Sequence, residues 1–258
     1  MVGKSKKYLS ATQLNMFLRC PQQYYFRYIE GLKIPPSGAM VQGRAWHEAL
    51  EANYSQKINS DTDLPLDDMQ DIFATRFEEA VEAEEIAFRA NENPGGLKDQ
   101  GVSIVETHHN AIAPEVHPVV VEEQFWISLG DDFPYELMGY WDLVDRNGII
   151  IDNKAYSRKP SQADLDKNIQ LTVYALGYRA SQQKTEKKLR LDAIIKNKTP
   201  KAVQLETTRS NEDCRWLLGL IEKVAESIQT GVFYPNPTGW CCNKKYCGYW
   251  HICRTRKG

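Results

Sequence analysis

The sequence predicts an α/β fold in a single domain over residues 1–258. Two observations support this prediction. The hydrophobic pattern is helical through residues 1–115, and it changes to β-branched and aromatic strand patterns, interrupted by one helix, in residues 119–209. The order of those later elements, β-β-β-α-β-β, is typical of a sheet that is covered by helices. A final helix and a cysteine-rich tail are predicted over residues 211–258.

The composition limits the class of protein. Hydrophobic residues make up 42% and charged residues 26% of the 258-residue chain, which is the balance of a soluble globular protein. No apolar run approaches the roughly 20 residues of a membrane span, and no apolar signal-peptide core follows the basic N-terminus. We therefore expect a cytoplasmic protein with no membrane partner, in which clustered cysteines are metal ligands rather than disulfides. The net charge of −2 provides no global basic field for nucleic acid.

The N-terminal part is predicted to be helical from its capping residues and its periodicity. Ser10 stands three residues before Gln13, a capping-box arrangement that predicts a helix starting near Ala11. Pro21 predicts a break into a second, aromatic-rich helical turn. Three further helices are predicted over residues 40–54, 66–91 and 97–112, and the sequence NPGG separates the last two.

The second part is predicted to form the sheet. Strands rich in β-branched and aromatic residues are predicted over residues 119–129, 135–145 and 149–156. An amphipathic helix is predicted over residues 161–181. Two shorter strands, KLRLDAIIK and KAVQLETT, and a helix over residues 211–230 complete the order.

The hairpin between the second and third strands carries charged side chains. Asp152 and Lys154 are two apart on one strand and so face the same side, while Asp142 is on the partner strand. A two-residue Asn-Gly loop would place Asp142 opposite Asn153. A three-residue loop, closed by Gly148 in the left-handed region, places Asp142 opposite Asp152. We predict the three-residue loop or an equivalent one-residue bulge, because only that register brings both carboxylates and the lysine together.

Two carboxylates and a lysine on adjacent strands suit metal-assisted hydrolysis of a phosphodiester bond. The carboxylates would hold Mg²⁺ or Mn²⁺, which prefer oxygen ligands. A bound cation polarises the phosphate and lowers the pKa of a bound water. The lysine can orient that water or stabilise charge that develops on the phosphate. The alternative interpretation of this segment alone is a surface hairpin with solvated charges.

These residues resemble the active-site motif of the PD-(D/E)XK nuclease superfamily, in its RecB-like branch. The matching residues are Gly139-Tyr140-Trp141-Asp142, followed by an apolar strand that ends in Asp152-Asn153-Lys154. Three more segments match in the right order, namely Gly43-x-x-x-His47, Gln170-x-x-x-Tyr174 and Cys20-Pro21-x-x-Tyr24-Tyr25-Phe26-Arg27-Tyr28. The chain has Asp152 where many members have Glu, and it carries no phosphate-binding loop of a helicase motor.

The resemblance implies a fold, an activity and a set of site residues. The fold would be restriction-endonuclease-like, with a mixed central sheet flanked by helices, and the activity that of a metal-dependent deoxyribonuclease. The implied metal ligands are His47, Asp142, Asp152 and the backbone carbonyl of Asn153. Lys154 is implied to stabilise the transition state and to orient water, and Gln170 and Tyr174 are implied to position substrate or the lysine.

The resemblance also implies a substrate and a setting. Free-standing members of the branch include CRISPR adaptation exonucleases and phage recombination exonucleases. We therefore expect an exonuclease that prefers single-stranded DNA, acting in DNA recombination, repair or CRISPR adaptation in a prokaryotic or phage-infected cell, with a protein of such a system as partner. Weaker contacts to the strand, by stacking and phosphate pairing, are expected from Tyr24, Arg27, Arg158 and Lys159.

The cysteines match a second feature of the same branch, a [4Fe–4S] cluster held by one cysteine near the start and three near the end. The implied ligands are Cys20, Cys242, Cys247 and Cys253, which would clasp the two ends of the chain. Cys241 is then spare, and Cys214 is a buried thiol in a helix. Zn²⁺ would accept the same four thiolates, and His251 or Cys241 could replace one of them, so these alternatives stay open.

Two other functions compete with the nuclease. The first is a non-catalytic DNA-binding or scaffold module that keeps a structural metal cluster. The complete set of His47, Asp142, Asp152 and Lys154 argues against it, because such a module would be expected to lose one of these residues. The second is a structural protein stapled by zinc, which the metal content of the purified protein distinguishes from an iron–sulfur protein.

Overall fold

The computed structural model describes residues 7–255. The first half contains strand β1 (Lys7–Leu9), helices α1 (Ala11–Arg19) and α2 (Pro21–Tyr24), a π-helical turn at Tyr25–Ile29, helices α3 (Gly38–Ser60), α4 (Leu66–Ala83) and α5 (Pro94–Ala111), and a 3-10 turn at Ala113–Glu115. The second half contains strands β2 (Pro118–Ser128), β3 (Tyr135–Asp145) and β4 (Ile149–Tyr156), helices α6 (Gln162–Asp166) and α7 (Ile169–Gln182), strands β5 (Lys188–Ile195) and β6 (Lys201–Thr207), and helices α8 (Asn211–Gln229) and α9 (Trp250–Thr255).

The chain divides into two compact units. The first comprises Met1–Ile34, Phe125–Gly139 and Ser210–Gly258, and the second comprises Pro35–Gln124 and Tyr140–Arg209. The charged hairpin belongs to the second unit, and the cysteine tail belongs to the first. The single domain over the whole chain stays a prediction.

The strands form a mixed sheet. Among residues 7–255 its order is β1-β3-β4-β5-β6, with β2 paired to β3. β4 runs antiparallel to β3 and parallel to β5, and β6 runs antiparallel to β5. β1 pairs in parallel with the start of β3. The predicted α/β class, with a mixed sheet and accompanying helices, is therefore confirmed.

The second unit has a helical core built by α3, α4 and α5. Trp46, Tyr54 and Phe73 are among its fully buried side chains. Gly101 of α5 faces the ring of Phe73, and a Cβ at this position would lie 1.8 Å from that ring. The close approach of α5 to α4 therefore requires glycine. Within residues 7–255 no helix is long and apolar enough to cross a membrane.

Most predicted elements are confirmed, including all five predicted strands and the start of α1. Ser10 caps α1 and accepts a hydrogen bond from the backbone N–H of Gln13 at 3.3 Å. Helix α3 is longer than predicted at both ends. The structure adds β1 and α9, which no sequence pattern indicated because both are very short.

Two other predicted helices are shorter or divided in the structure. The helix predicted over residues 66–91 ends at Ala83, because the following segment turns back and Ala87 pairs with the backbone of Pro36 and Ser37. The helix predicted over residues 161–181 is two helices. Asn168 interrupts it, since its side chain accepts from the backbone of Gln170 and Leu171 and so caps α7.

Candidate active site

The hairpin of β3 and β4 has the predicted loop and register. Leu143 pairs with Ile151, and the next pair in this register is Asp142 with Asp152. Arg146, Asn147 and Gly148 form a three-residue loop. Gly148 has φ +75° and donates its N–H to Asp145 O at 2.8 Å. The left-handed glycine thus sets the register that brings the two carboxylates together.

Lys154 lies between the buried carboxylate of Asp152 and helix α7. Its Nζ donates to Asp152 Oδ2 at 2.6 Å and to Gln170 Oε1 at 2.6 Å. Asp152 is 1% exposed, and one third of the Lys154 side chain is exposed. The ammonium group is therefore held in one place and still reaches solvent.

Helix α7 closes a hydrogen-bond circuit around the site. Gln170 and Tyr174 lie one turn apart on this helix, and Gln170 Nε2 donates to Tyr174 Oη at 2.6 Å. Tyr174 Oη in turn donates to Asp142 Oδ1 at 3.0 Å. The other oxygen of Asp142 accepts from the backbone N–H of Asn153 at 2.9 Å. Lys154, Gln170, Tyr174 and Asp142 are thus linked in one chain of hydrogen bonds.

Helix α3 and strand β2 complete a cluster that could hold a metal ion. His47, Glu122 and Asp142 each offer one ligand atom, and these atoms lie within 4.8 Å of one another. His47 Nδ1 is 3.4 Å from Glu122 Oε1 and 3.8 Å from Asp142 Oδ2. One imidazole and two carboxylates suit Mn²⁺ or Mg²⁺.

Glu122 is the site residue that the sequence did not reveal. It has φ +45°, an uncommon conformation for a residue other than glycine. Glu122 and Glu123 are adjacent acidic residues in an apolar strand, which is the only signal in the sequence. That signal does not distinguish the two, because the backbone distortion decides which of them turns toward His47.

Asp152 was predicted as a metal ligand, but it is outside this three-residue group. One of its oxygens is occupied by Lys154. The other, Oδ1, is buried and has no hydrogen-bond partner within residues 7–255. A buried carboxylate oxygen without a partner is costly unless a cation or water satisfies it. This orphaned oxygen fits a nearby divalent cation.

The electrostatics of the site favour an added cation. Burial raises the pKa of Asp142; His47 opposes this, and Glu122 adds to it. Burial also raises the pKa of Asp152 against the effect of Lys154, and Asp142 adds to it. Burial would lower the pKa of His47, but the hydrogen bond to Glu122 and the nearby carboxylates raise it to about 9. The neighbouring negative charges thus favour protonation of His47, Asp142 and Asp152, and a bound divalent cation would replace these protons.

A buried polar layer supports Asn153 from the opposite side of β4. His108 Nε2 is 3.3 Å from Asn153 Oδ1 and 3.4 Å from the hydroxyl of Tyr54. His108 is completely buried. These contacts hold the side chain of Asn153, and the backbone N–H of Asn153 donates to Asp142. Helices α3 and α5 therefore help to position strand β4.

The four predicted DNA contacts have different surroundings. Tyr24 is buried, its ring is packed against Tyr28 and Phe233, and its hydroxyl donates to Gln13. This burial disfavours stacking of Tyr24 on a base, and its contact with DNA stays a prediction. Arg27 is exposed beside Tyr28. Arg158 and Lys159 are exposed directly after β4, in the same unit as the hairpin.

Five of the six cysteines line one cavity of about 110 Å³ in the first unit, and they are Cys20, Cys241, Cys242, Cys247 and Cys253. Cys214 is a buried thiol of α8, as predicted. No three of the cysteine sulfurs in residues 7–255 lie within 4.8 Å of one another. Three thiolates on one tetrahedral zinc ion would be only about 3.8 Å apart, given Zn–S distances of about 2.3 Å.

The chain is similar to known proteins in both sequence and fold. The model of the PD-(D/E)XK nuclease superfamily matches residues 8–254. The crystal structure of a protein provisionally assigned as an exonuclease, from Eubacterium rectale, has a TM-score of 0.60 at 13% identity, and the match covers 100% of this chain and 96% of that one. The crystal structure of SSO0001 has a TM-score of 0.46 at 15% identity, with 100% and 90% coverage. The sequence matches no curated protein.

The family model spans nearly the whole chain and includes every residue of the hydrogen-bond circuit. The Eubacterium rectale structure supports the fold alone, because its identity is low. The mixed sheet and flanking helices are those of a restriction-endonuclease-like nuclease fold. The chain belongs to the PD-(D/E)XK nuclease superfamily.

Proposed function

We propose that this protein is a divalent-metal-dependent DNA nuclease whose active site is formed by Asp142, Asp152, Lys154 and the residues hydrogen-bonded to them. The observation that carries the proposal is the position of Lys154. It is held by Asp152 and Gln170, next to a cluster of His47, Glu122 and Asp142 that could bind a metal ion. Membership of a nuclease superfamily agrees with this geometry.

Each side chain has a proposed task. His47, Glu122 and Asp142 would hold the cation, the buried Oδ1 of Asp152 would serve as a further ligand, and the carbonyl of Asn153 stays a predicted ligand. A bound Mg²⁺ or Mn²⁺ supplies Lewis acidity toward the scissile phosphate.

Lys154 stabilises the negative charge that develops on the phosphate and orients the attacking water. Gln170 holds the ammonium group of Lys154, and Tyr174 holds Asp142. The two α7 residues are therefore proposed to position catalytic groups rather than to react.

The proposed substrate is single-stranded DNA, degraded from an end. The resemblance to free-standing exonucleases supports this, together with the provisional exonuclease assignment of the structurally similar Eubacterium rectale protein. Arg158 and Lys159 are exposed at the end of β4 and are proposed to contact backbone phosphates. A role in recombination, repair or CRISPR adaptation, with a partner from such a system, follows from the same resemblance.

The cysteine cavity is proposed to hold a [4Fe–4S] cluster. Five thiols line it, which is enough for the four thiolates that a [4Fe–4S] cluster takes. Zinc remains the competing occupant. Iron and acid-labile sulfide, measured in protein purified without oxygen, distinguish the two, and a colourless preparation with stoichiometric zinc contradicts the iron–sulfur proposal.

End-labelled single-stranded DNA tests the nuclease proposal. Wild-type protein with Mn²⁺ is expected to degrade it, and Asp152→Asn and Lys154→Met are expected to be slower by about 100-fold or more. Asp152→Asn removes the carboxylate that holds Lys154 and is proposed to face the cation, and Lys154→Met removes the positive charge that is proposed to stabilise the phosphate. Undiminished cleavage by both variants would refute the active-site assignment, and full activity after metal removal would refute the metal dependence.

Two further substrates and one control sharpen this experiment. A circular single strand resists an exonuclease, whereas an endonuclease cuts it. Duplex DNA of the same sequence measures the strand preference. Glu123→Gln changes an exposed carboxylate beside the site and is expected to leave the rate unchanged. Tight DNA binding without cleavage, in either Mn²⁺ or Mg²⁺, would favour the non-catalytic scaffold instead.

A further inference from the structure

Cys241 is the thiol that the implied ligand set leaves unused, yet it lies in the wall of the cysteine cavity. It is 3% exposed, whereas the adjacent Cys242 is only half-buried. Both line the cavity together with Cys20, Cys247 and Cys253. Five thiols therefore face a space for which four ligands suffice.

Gln23 makes the same kind of contact to Cys241 and to Cys247. Its Nε2 is 3.2 Å from Cys247 Sγ and 3.8 Å from Cys241 Sγ. Its Oε1 accepts from Arg19 Nε at 3.1 Å. Since arginine can only donate, Arg19 sets the orientation of the amide, and the NH₂ group must face the two sulfurs.

Gln23 relates Cys241 to the implied ligand set through a shared donor. Cys247 belongs to that set, and Cys241 Sγ takes the second contact of the same NH₂ group. A thiolate that binds a metal still has lone pairs that accept a hydrogen bond. The position of Gln23 therefore places the two sulfurs alike, beside one donor at the edge of the cavity.

Cys241 and Cys242 lie in an irregular segment of the backbone. Cys242 donates its N–H to Gly239 O at 2.9 Å, and Asn243 donates to Cys241 O at 2.8 Å, so the pair lies in a turn. Arg254 is 4.0 Å from Cys242 Sγ. Neither cysteine belongs to a helix or strand, because the turn lies between α8 and α9.

We propose that Cys241 is a ligand of the cysteine site and that Cys241 and Cys242 are interchangeable as its fourth thiolate. The other three ligands are Cys20, Cys247 and Cys253. This inference rests on the proposed iron–sulfur site and revises the expectation, drawn from spacing alone, that Cys241 is spare.

Reconstitution of the full chain with ferrous iron and sulfide, without oxygen, tests the proposal. The variants are Cys241→Ser, Cys242→Ser, the double variant and Cys247→Ser, with Cys214→Ser as the control outside the cavity. The readouts are iron and acid-labile sulfide per chain and the visible absorption of the cluster. Each single change in the pair is expected to keep at least half of the wild-type iron, and the double variant is expected to fall to the level of Cys247→Ser.

Three results would overturn the proposal. One is a loss in Cys242→Ser alone that equals the loss in Cys247→Ser, because Cys241 then does not serve as a ligand. Another is the same loss in Cys241→Ser alone, because the two are then not interchangeable. The third is wild-type iron in the double variant. If wild-type protein takes up zinc and no cluster, the proposed cofactor fails, and zinc content in the same variants decides the role of Cys241.

Discussion

Single residues decide the chemistry of the candidate metal site. Glu122 faces His47 because its backbone has φ +45°, while its neighbour Glu123 is exposed. Strained conformations of this kind cost about 1–3 kcal/mol and persist where the surrounding structure imposes them. The strand distortion at Glu122 therefore fits a functional position.

We expect Glu122→Gln to weaken Mn²⁺ binding by about 10-fold or more, because one charged ligand becomes neutral. Glu123→Gln, a matched change at the next residue, is expected to bind Mn²⁺ as tightly as wild type does. Titration calorimetry of both variants measures the difference. Equal affinities for the two variants would remove Glu122 from the metal site.

The affinity for Mn²⁺ is expected to rise with pH up to about 9, by about tenfold per pH unit from His47 alone, because a metal ligand must lose its proton. The pKa of His47 is raised to about 9: burial opposes this shift, but Glu122, Asp142 and Asp152 outweigh it. In the metal-free protein this raised pKa stabilises the fold fully below about 6.5, and the effect is lost as the pH rises through 9.

Calorimetry at pH 7.5 in buffers of different ionisation enthalpy measures the protons released on Mn²⁺ binding. About one proton per chain is expected in wild type, and fewer in His47→Ala. Proton release that does not change in His47→Ala would contradict the assignment of this histidine.

At the scale of elements, α3, β2, β3, β4 and α7 each contribute side chains to the site, and all of the contributing residues lie in the second unit. Helix α5 adds His108 beneath β4, where it contacts Asn153 and Tyr54. Its Nδ1 is buried without a partner in residues 7–255. Burial lowers the pKa of His108 to about 3, so this histidine is neutral in the folded protein.

His108 should make the protein less stable in acid. Its folded-state pKa lies below the unfolded value of about 6.5, so the unfolded chain binds more protons as the pH falls from 6.5 toward 3. From this group alone, the free energy of unfolding is expected to be about 2 kcal/mol lower at pH 5 than at pH 8.

Urea unfolding at the two pH values, compared between wild type and His108→Gln, measures this contribution. The variant should lose about 2 kcal/mol less on acidification than wild type. The neighbouring change His109→Gln is the control and should behave like wild type. An equal acid loss in wild type and His108→Gln would show that His108 does not couple folding to protons.

At the scale of the whole molecule, the cysteine cavity joins residues that are far apart in the chain. Cys20 follows α1, and the other four thiols lie after α8, yet all five line one cavity of the first unit. A group bound by Cys20 and the tail would close a loop of more than 200 residues. Closing a loop of this length restricts the unfolded chain and so stabilises the folded one.

We expect Cys20→Ser to lower the Tm of cluster-loaded protein by roughly 10 °C, because loss of this closure costs about 4 kcal/mol. Cys214→Ser, at a buried thiol outside the cavity, controls for loss of a buried sulfur. Thermal unfolding followed by circular dichroism, together with iron analysis, tests the prediction. A Cys20→Ser protein with wild-type iron and Tm would show that Cys20 is not part of the closure.

Local chemistry made much of this protein predictable from its sequence. The β-branched and aromatic patterns predicted five strands that the structure contains, and Gly148 predicted the register of the hairpin. The side-chain period of a strand then placed Asp152 and Lys154 on one face, and the helical period placed Gln170 and Tyr174 together. Such features depend on residues that are close in sequence, so a single chain is enough to reveal them.

Only the tertiary structure decided the rest. Glu122 belongs to the metal cluster because the backbone of β2 is distorted there, and the pair Glu122-Glu123 gives no sign of this distortion in the sequence. Helix α4 ends at Ala83 because the segment after it pairs with backbone that is distant in the sequence. Cys241 lines the same cavity as Cys20 and contacts Gln23, and both of these residues lie more than 200 positions away in the sequence. These outcomes depend on contacts between segments far apart in sequence, whereas local periodicity and capping act only within a few residues.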